Sequence, residues 1–110
     1  MITTHILDTS LGQPARAVPI VLERRSGTTW TQVGAGKTDD DGRLKTLTAP
    51  GPVEPGVWKL RFDTQSYFDL TGRKTFYPSV EVMFEIVDGH AHYHVPLLLN
   101  PWGYSTYRGT

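Results

Sequence analysis

An all-β sandwich is the fold class that this sequence predicts, on three observations. Apolar residues recur at every second position in several short stretches, the stretches are evenly spaced, and clusters of Gly, Pro, Asn, Asp and Ser stand between them. A chain of 110 residues supports one core, burying roughly two-thirds of its unfolded surface, so residues 1–110 form a single domain.

The elements follow in chain order. Thr3 to Thr9 reads as a first strand, ended by the turn formers Ser10, Gly12 and Pro14. Val18, Ile20 and Leu22 then alternate against Pro19, Val21 and Glu23. Proline cannot donate to a ladder, so Pro19 belongs at a strand start or on an edge. Ser26 and Gly27 turn the chain into a hairpin partner over Trp30 to Ala35. The run Asp39, Asp40, Asp41, Gly42, Arg43 has the look of a calcium loop, but that motif requires another acid where Lys37 stands, and a turn is the better reading. Gly51 to Gly56 is an ordered loop between strands. Trp58, Leu60 and Phe62 alternate with Lys59, Arg61 and Asp63 in a clear amphipathic strand, and Gln65 to Leu70 makes one or two helical turns, too short to stand alone. Val80, Val82, Phe84 and Ile86 alternate with Glu81, Met83 and Glu85 up to the turn at Asp88 and Gly89.

The closing stretch, His90 to Thr110, reads HAHYHVPLLLNPWGYSTYRGT. At a strand's period of two, Ala91, Tyr93, Val95, Leu97 and Leu99 share one face, and His90, His92 and His94 share the other. Only His5 among the histidines lies elsewhere. Asn100 and Pro101 turn the chain into a second short strand, Trp102 to Tyr107, that pairs back on the first and carries Tyr107, Arg108, Gly109 and Thr110 toward the histidine face. Pro96 and Leu98 share the outward face with His92 and His94, which makes that face too apolar for plain solvent and suited to a subunit interface.

Composition excludes several functions. Eleven basic residues balance eleven acidic ones, so no net charge draws the chain to nucleic acid or to an anionic membrane. The absence of cysteine rules out disulfides, thiolate nucleophiles and cysteine zinc sites. No apolar run of about 18 residues is present for a membrane helix, and MITTHILDTS lacks the marks of a secretion signal, so a cytoplasmic protein is the expectation. Three histidines at alternate strand positions invite a metal reading. Residues four apart in a strand spread over ~13 Å, however, so no metal site is expected.

HYHVPLLL, GYSTYRG and the terminal hydroxyl residue Thr110 together resemble the C-terminus of the 5-hydroxyisourate hydrolases, the transthyretin-related enzymes of purine catabolism. THILDTSLGQPA, DGR, FDTQSYF and FYPSVEV match the same family in order, so the resemblance covers nearly the whole chain. One position departs: the family usually ends in serine, and threonine keeps the hydroxyl while adding a methyl. The resemblance implies a transthyretin-like sandwich of two four-stranded sheets with one short helix. It also implies a homotetramer with sites where dimers meet, and hydrolysis of 5-hydroxyisourate to 2-oxo-4-hydroxy-4-carboxy-5-ureidoimidazoline without a cofactor.

The resemblance also implies catalytic roles for His5, Arg43 and His94, and a substrate-binding role for His92, Tyr107, Arg108, Gly109 and Thr110. The chemistry suits these residue types. A histidine can take a proton from water near neutral pH and return one to a leaving nitrogen, and arginine offers paired donors to flat carbonyl oxygens. Which histidine activates the water is left open by the sequence. The rival readings are a carrier of apolar hormones built on the same sandwich, and a structural or adhesion sandwich in which the histidines are incidental. On the bland reading Arg43 is a solvated turn residue and His5 a satisfied polar residue of an edge strand.

Overall fold

Alternation along each strand decides which side chains enter the interior. The computed structural model describes all of residues 1–110. It contains β1 (Ile2–Asp8), β2 (Gln13–Pro14), β3 (Pro19–Ser26), β4 (Thr29–Lys37), β5 (Arg43–Leu44), β6 (Gly56–Phe62), α1 (Thr64–Leu70), β7 (Val80–Ile86), β8 (Tyr93–Asn100) and β9 (Gly103–Thr106). Each strand anticipated from alternation is present, and Pro19 opens β3, the place where its missing N–H costs no ladder bond.

The strands form two sheets. One has the order β4-β3-β6-β7, and the other runs β2-β1-β8-β9 with β5 also paired to β1. The two-residue strands β2 and β5 occupy the same edge of β1, facing Leu7–Asp8 and Thr4–His5 respectively. Four strand positions therefore lie across each sheet, as the family resemblance implies. The central β1–β8 pair is parallel and keeps one register from Ile2↔Tyr93 to Asp8↔Leu99. Alternation cannot reveal pairing of this kind, since the two strands lie at opposite ends of the sequence.

Between the sheets, Ile2 and Ile6 of β1, Ile20 and Leu22 of β3, Leu60 and Phe62 of β6, and Leu97 and Leu99 of β8 are buried at 0–1 % exposure. Each such side chain contributes about 1.5–3 kcal/mol relative to leaving it in water. Helix α1 closes one end of this core with Tyr67 and Phe68. Asp63 caps it, its carboxylate accepting the Ser66 N–H at 3.1 Å. The exit is a left-handed turn at Gly72 (φ +69°), where the Arg73 N–H reaches back to the Phe68 carbonyl at 2.9 Å.

A buried polar knot ties α1 to β1. The Asp8 side chain is fully enclosed and accepts from the Tyr67 hydroxyl and from Arg73 Nη2, each at 2.6 Å, and also from Ser10. Burial alone would raise the Asp8 carboxyl, but the hydrogen bonds from Arg73, Ser10 and Tyr67 outweigh it and hold the group below the ordinary carboxylate range. The Tyr67 hydroxyl, buried beside that charge, is pushed up to about 12.

Candidate active site

Register brings distant residues to one place on the outer face of the β1–β8 sheet. Thr3 lies beside His94 across the parallel pair, and His5 lies beside Pro96. On the other side of β1, Arg43 of β5 stands opposite His5 in an antiparallel pair, and opposed residues share a face. Gly109 bridges to His94 at the far side of β8, its N–H donating to the His94 carbonyl at 2.8 Å. A cleft of about 330 Å³ opens on this face, lined by Thr3, Arg43, Lys45, His92, His94 and Thr110 among others. That volume is at the small end of ligand pockets, the size of a single heterocycle rather than a long chain.

The turn that presents Arg43 is locked by its own backbone. Asp39 Oδ1 accepts from the N–H groups of Asp41 and Arg43, each at 2.9 Å, and these bonds hold its carboxyl below the usual range. The aspartate run thus serves the turn. Gly42 is required within it: φ is +74°, and a Cβ there would lie 2.5 Å from the Ile6 carbonyl oxygen, which accepts no side chain so near. None of the five ion pairs in the chain involves Arg43 or Lys45, so both cations are free to meet a ligand.

The Thr3 hydroxyl stands between two imidazoles, 2.8 Å from His92 Nε2 and 2.8 Å from His94 Nδ1. The rings are edge to face with centroids 6.4 Å apart. His94 is half-buried, and burial, reinforced by the positive Arg43 and by His5 and His92, lowers its pKa from the ordinary 6.5. His94 is thus an uncharged imidazole at neutral pH, ready to accept a proton. No group of three or more His, Cys, Asp or Glu side chains is arranged to hold a metal ion.

The sequence-predicted residues divide. Arg43, His92, His94 and Thr110 line the cleft, Gly109 packs against the His94 ring, and His5 stands beside the cleft opposite Arg43. Tyr107 and Arg108 do not line it. They face a second, apolar groove between the strand edges with Val82, Phe84 and Val95. The Arg108 guanidinium stacks 4.6 Å from the centroid of the Tyr93 ring, on the opposite side of β8 from His94. The cause is alternation, which turns residue 108 away when Gly109 pairs with His94. His90 also stands apart: β8 starts only at Tyr93, and the His90 N–H is taken by Asp88 in the preceding turn. Pro96 is already buried within the chain, with Gly109 against it, so the outward apolar face reduces to half-buried Leu98.

Sequence reasoning missed Thr3 and Lys45. Lys45 was findable, since it stands two residues beyond Arg43 in an extended segment and so shares its side. Thr3 carried no signal, because its role depends on the β1–β8 register.

Fold and cleft together define a class: a transthyretin-like β-sandwich carrying histidines and free cations on the outer face of one sheet. Comparison with known proteins sharpens this. Residues 2–109 match the HIUase/Transthyretin family, and the chain belongs to that family. The 5-hydroxyisourate hydrolase of Salmonella typhimurium is 44% identical over 110 residues, covering 100% of this chain and 81% of its own length. That of Mus musculus is 43% identical over 111 residues, covering 99% and 94%. Among solved structures, Klebsiella pneumoniae 5-hydroxyisourate hydrolase superposes with a TM-score of 0.87 at 34% identity, covering 99% of this chain and 92% of that one. Sea bream transthyretin in complex with thyroxine superposes at 0.92 with 32% identity, covering 99% and 94%.

Proposed function

We propose that this chain hydrolyses 5-hydroxyisourate to 2-oxo-4-hydroxy-4-carboxy-5-ureidoimidazoline, a step of urate degradation, with no cofactor. The observation that carries the reading is the joint placement of uncharged His94 and unpaired Arg43 in one small polar cleft. In the proposed reaction His94 takes a proton from water as the water oxygen bonds to the ring amide carbon. Arg43, with its planar paired donors, stabilises the oxyanion that forms. Collapse of that oxyanion breaks the carbon–nitrogen bond, and the imidazolium returns its proton to the leaving nitrogen, leaving a carboxylate. His5, beside Arg43, orients the substrate from the β1 side.

A carrier reading draws support from the likeness to a thyroxine-bound transthyretin. Against it stands the cleft itself, where Met1 is the one apolar side chain among eight lining residues. Its histidines and cations offer hydrogen-bond partners that a polar heterocycle can use and an apolar hormone cannot. We further propose a homotetramer in which cleft faces from different dimers meet, excluding water from the reacting group.

The test is to generate 5-hydroxyisourate in place with urate oxidase and to follow its absorbance decay against the spontaneous background. Acceleration proportional to protein concentration is expected, with His94→Asn losing about 100- to 10,000-fold. Unaccelerated decay at every protein concentration would overturn the reading.

A further inference from the structure

A threonine hydroxyl has one proton to give and two lone pairs to receive. Thr3 Oγ1 is 2.8 Å from a ring nitrogen on each of two histidines and has no other protein acceptor for its proton, so that proton goes to one ring and the hydroxyl accepts from the other. With both rings neutral and the hydroxyl proton given to one of them, two arrangements are open. In the first, the hydroxyl donates to His92 Nε2 and accepts from His94 Nδ1–H, leaving His94 Nε2 as a bare lone pair. In the second, the directions reverse and His94 Nε2 carries the proton.

The surroundings decide between them. His94 has no protein partner at Nε2, and its Cδ2 edge is held against Gly109, so the free nitrogen belongs to the cleft side of the ring. Arg43 of β5 and Lys45 just beyond it bring positive charge to that cleft, and His5 stands beside it on β1. The chain terminus at Thr110 and the amino group of Met1, which donates to the Gly51 carbonyl, complete the ionisable groups around it. A lone pair directed toward the guanidinium and ammonium groups is favoured over an N–H whose own positive end would face them. His92 is exposed, so its Nδ1 can keep a proton and give it to water.

We propose that Thr3 is a positioning residue that fixes the tautomers of both imidazoles, its hydroxyl donating to His92 Nε2 and accepting from His94 Nδ1–H, so that His94 Nε2 is unprotonated toward the cleft. The role rests on the hydrolase reading for its use but not for its existence. Free imidazole in peptides carries its proton on either nitrogen, and the wrong tautomer of a general base is catalytically idle. His92, which also lines the cleft, is linked to His94 through the same hydroxyl.

Nitrogen-15 spectra of the histidine rings in the intact, substrate-free protein test this directly, because protonated and bare ring nitrogens resonate far apart. The expected pattern is both His94 and His92 protonated at Nδ1 and bare at Nε2. Thr3→Val, which keeps the shape and removes the hydroxyl, should dissolve that pattern and lower kcat about 10- to 100-fold with KM little changed. Thr3→Ser should keep both the spectrum and most of the rate. The opposite tautomers in the parent, or an unchanged pattern in Thr3→Val, would overturn the proposal. Should Thr3→Val fail to fold, the parent spectrum and Thr3→Ser decide alone. The expected tautomers in a protein that leaves 5-hydroxyisourate decay unaccelerated would sink the hydrolase reading and leave this one standing.

Discussion

Gly109→Ala should disable the cleft with little loss of fold, and the size of the effect follows from the packing around His94. A Cβ built on Gly109 would stand 2.7 Å from His94 Cδ2 and 3.2 Å from Pro96 Cγ. Carbon atoms in contact prefer about 3.5–4.0 Å, so the imidazole has to retreat by about 1 Å. It has no free direction in which to do so, since Nδ1 is tied to the Thr3 hydroxyl at 2.8 Å. The alternative is for the tail to lift, which breaks the 2.8 Å bond from the Gly109 N–H to the His94 carbonyl and withdraws Thr110 from the cleft. Either way a reacting group moves by about 1 Å, and such a displacement costs about 100-fold in rate, equivalent to ~3 kcal/mol of transition-state stabilisation. The stability cost is smaller, about 1 kcal/mol for one exposed hydrogen bond. Parallel measurement of 5-hydroxyisourate turnover and of thermal unfolding by circular dichroism separates the two. A Gly109→Ala protein with the parent's kcat would show that the tail is not part of the site.

Three further outcomes are expected. Arg43→Lys keeps the charge but loses the planar fork, so it should lower turnover at least tenfold; a rate equal to the parent's would return Arg43 to the status of a solvated turn residue. Asp8→Ala should destabilise the fold by about 3 kcal/mol, read as a lower urea midpoint, because Arg73 and Tyr67 lose their shared acceptor; a midpoint shift below a third of that would contradict the buried knot. Since the folded Asp8 carboxyl is held below its ordinary 3.8, its contribution is whole above 3.8 and fades as pH falls further, and that acid sensitivity should disappear in the same variant. For His94, the lowered folded pKa means that the unfolded chain binds the extra proton first, so stability falls as pH drops below 6.5, and the acid limb of kcat/KM should lie below 6.5 as well; a limb at or above 6.5 would be inconsistent with a buried neutral base beside Arg43.

Much of this architecture was legible along the chain. Period-two alternation located β3, β6, β7 and β8 because each has one face in the core, and that face is what hydrophobic spacing records. β2 and β5 left no such mark, since two residues cannot show a period. Arg43, His94 and His92 were recognisable through the family resemblance, whereas their arrival in one cleft depends on the parallel register of β1 on β8. Arg108 faces the other groove because the bridge between Gly109 and His94 turns the residue before it away. Nothing local in the sequence said which side of the closing segment His94 would claim.

The pairing of β1 with β8 also sets a timetable for the molecule. Thr3 and His94 are separated by 91 positions, whereas the β3–β4 hairpin closes across the short turn between Ser26 and Thr29. Closing the longer loop costs about 3 kcal/mol more in chain entropy, so the hairpin sheet gains its contacts first. On a ribosome adding about 5–20 residues per second, Ile2 and Ile6 wait roughly 5–20 s for the strand that will cover them. During that interval the first strand has β2 and β5 along one edge and an open ladder along the other. The face that carries the cleft would be the last surface of the sandwich to take shape.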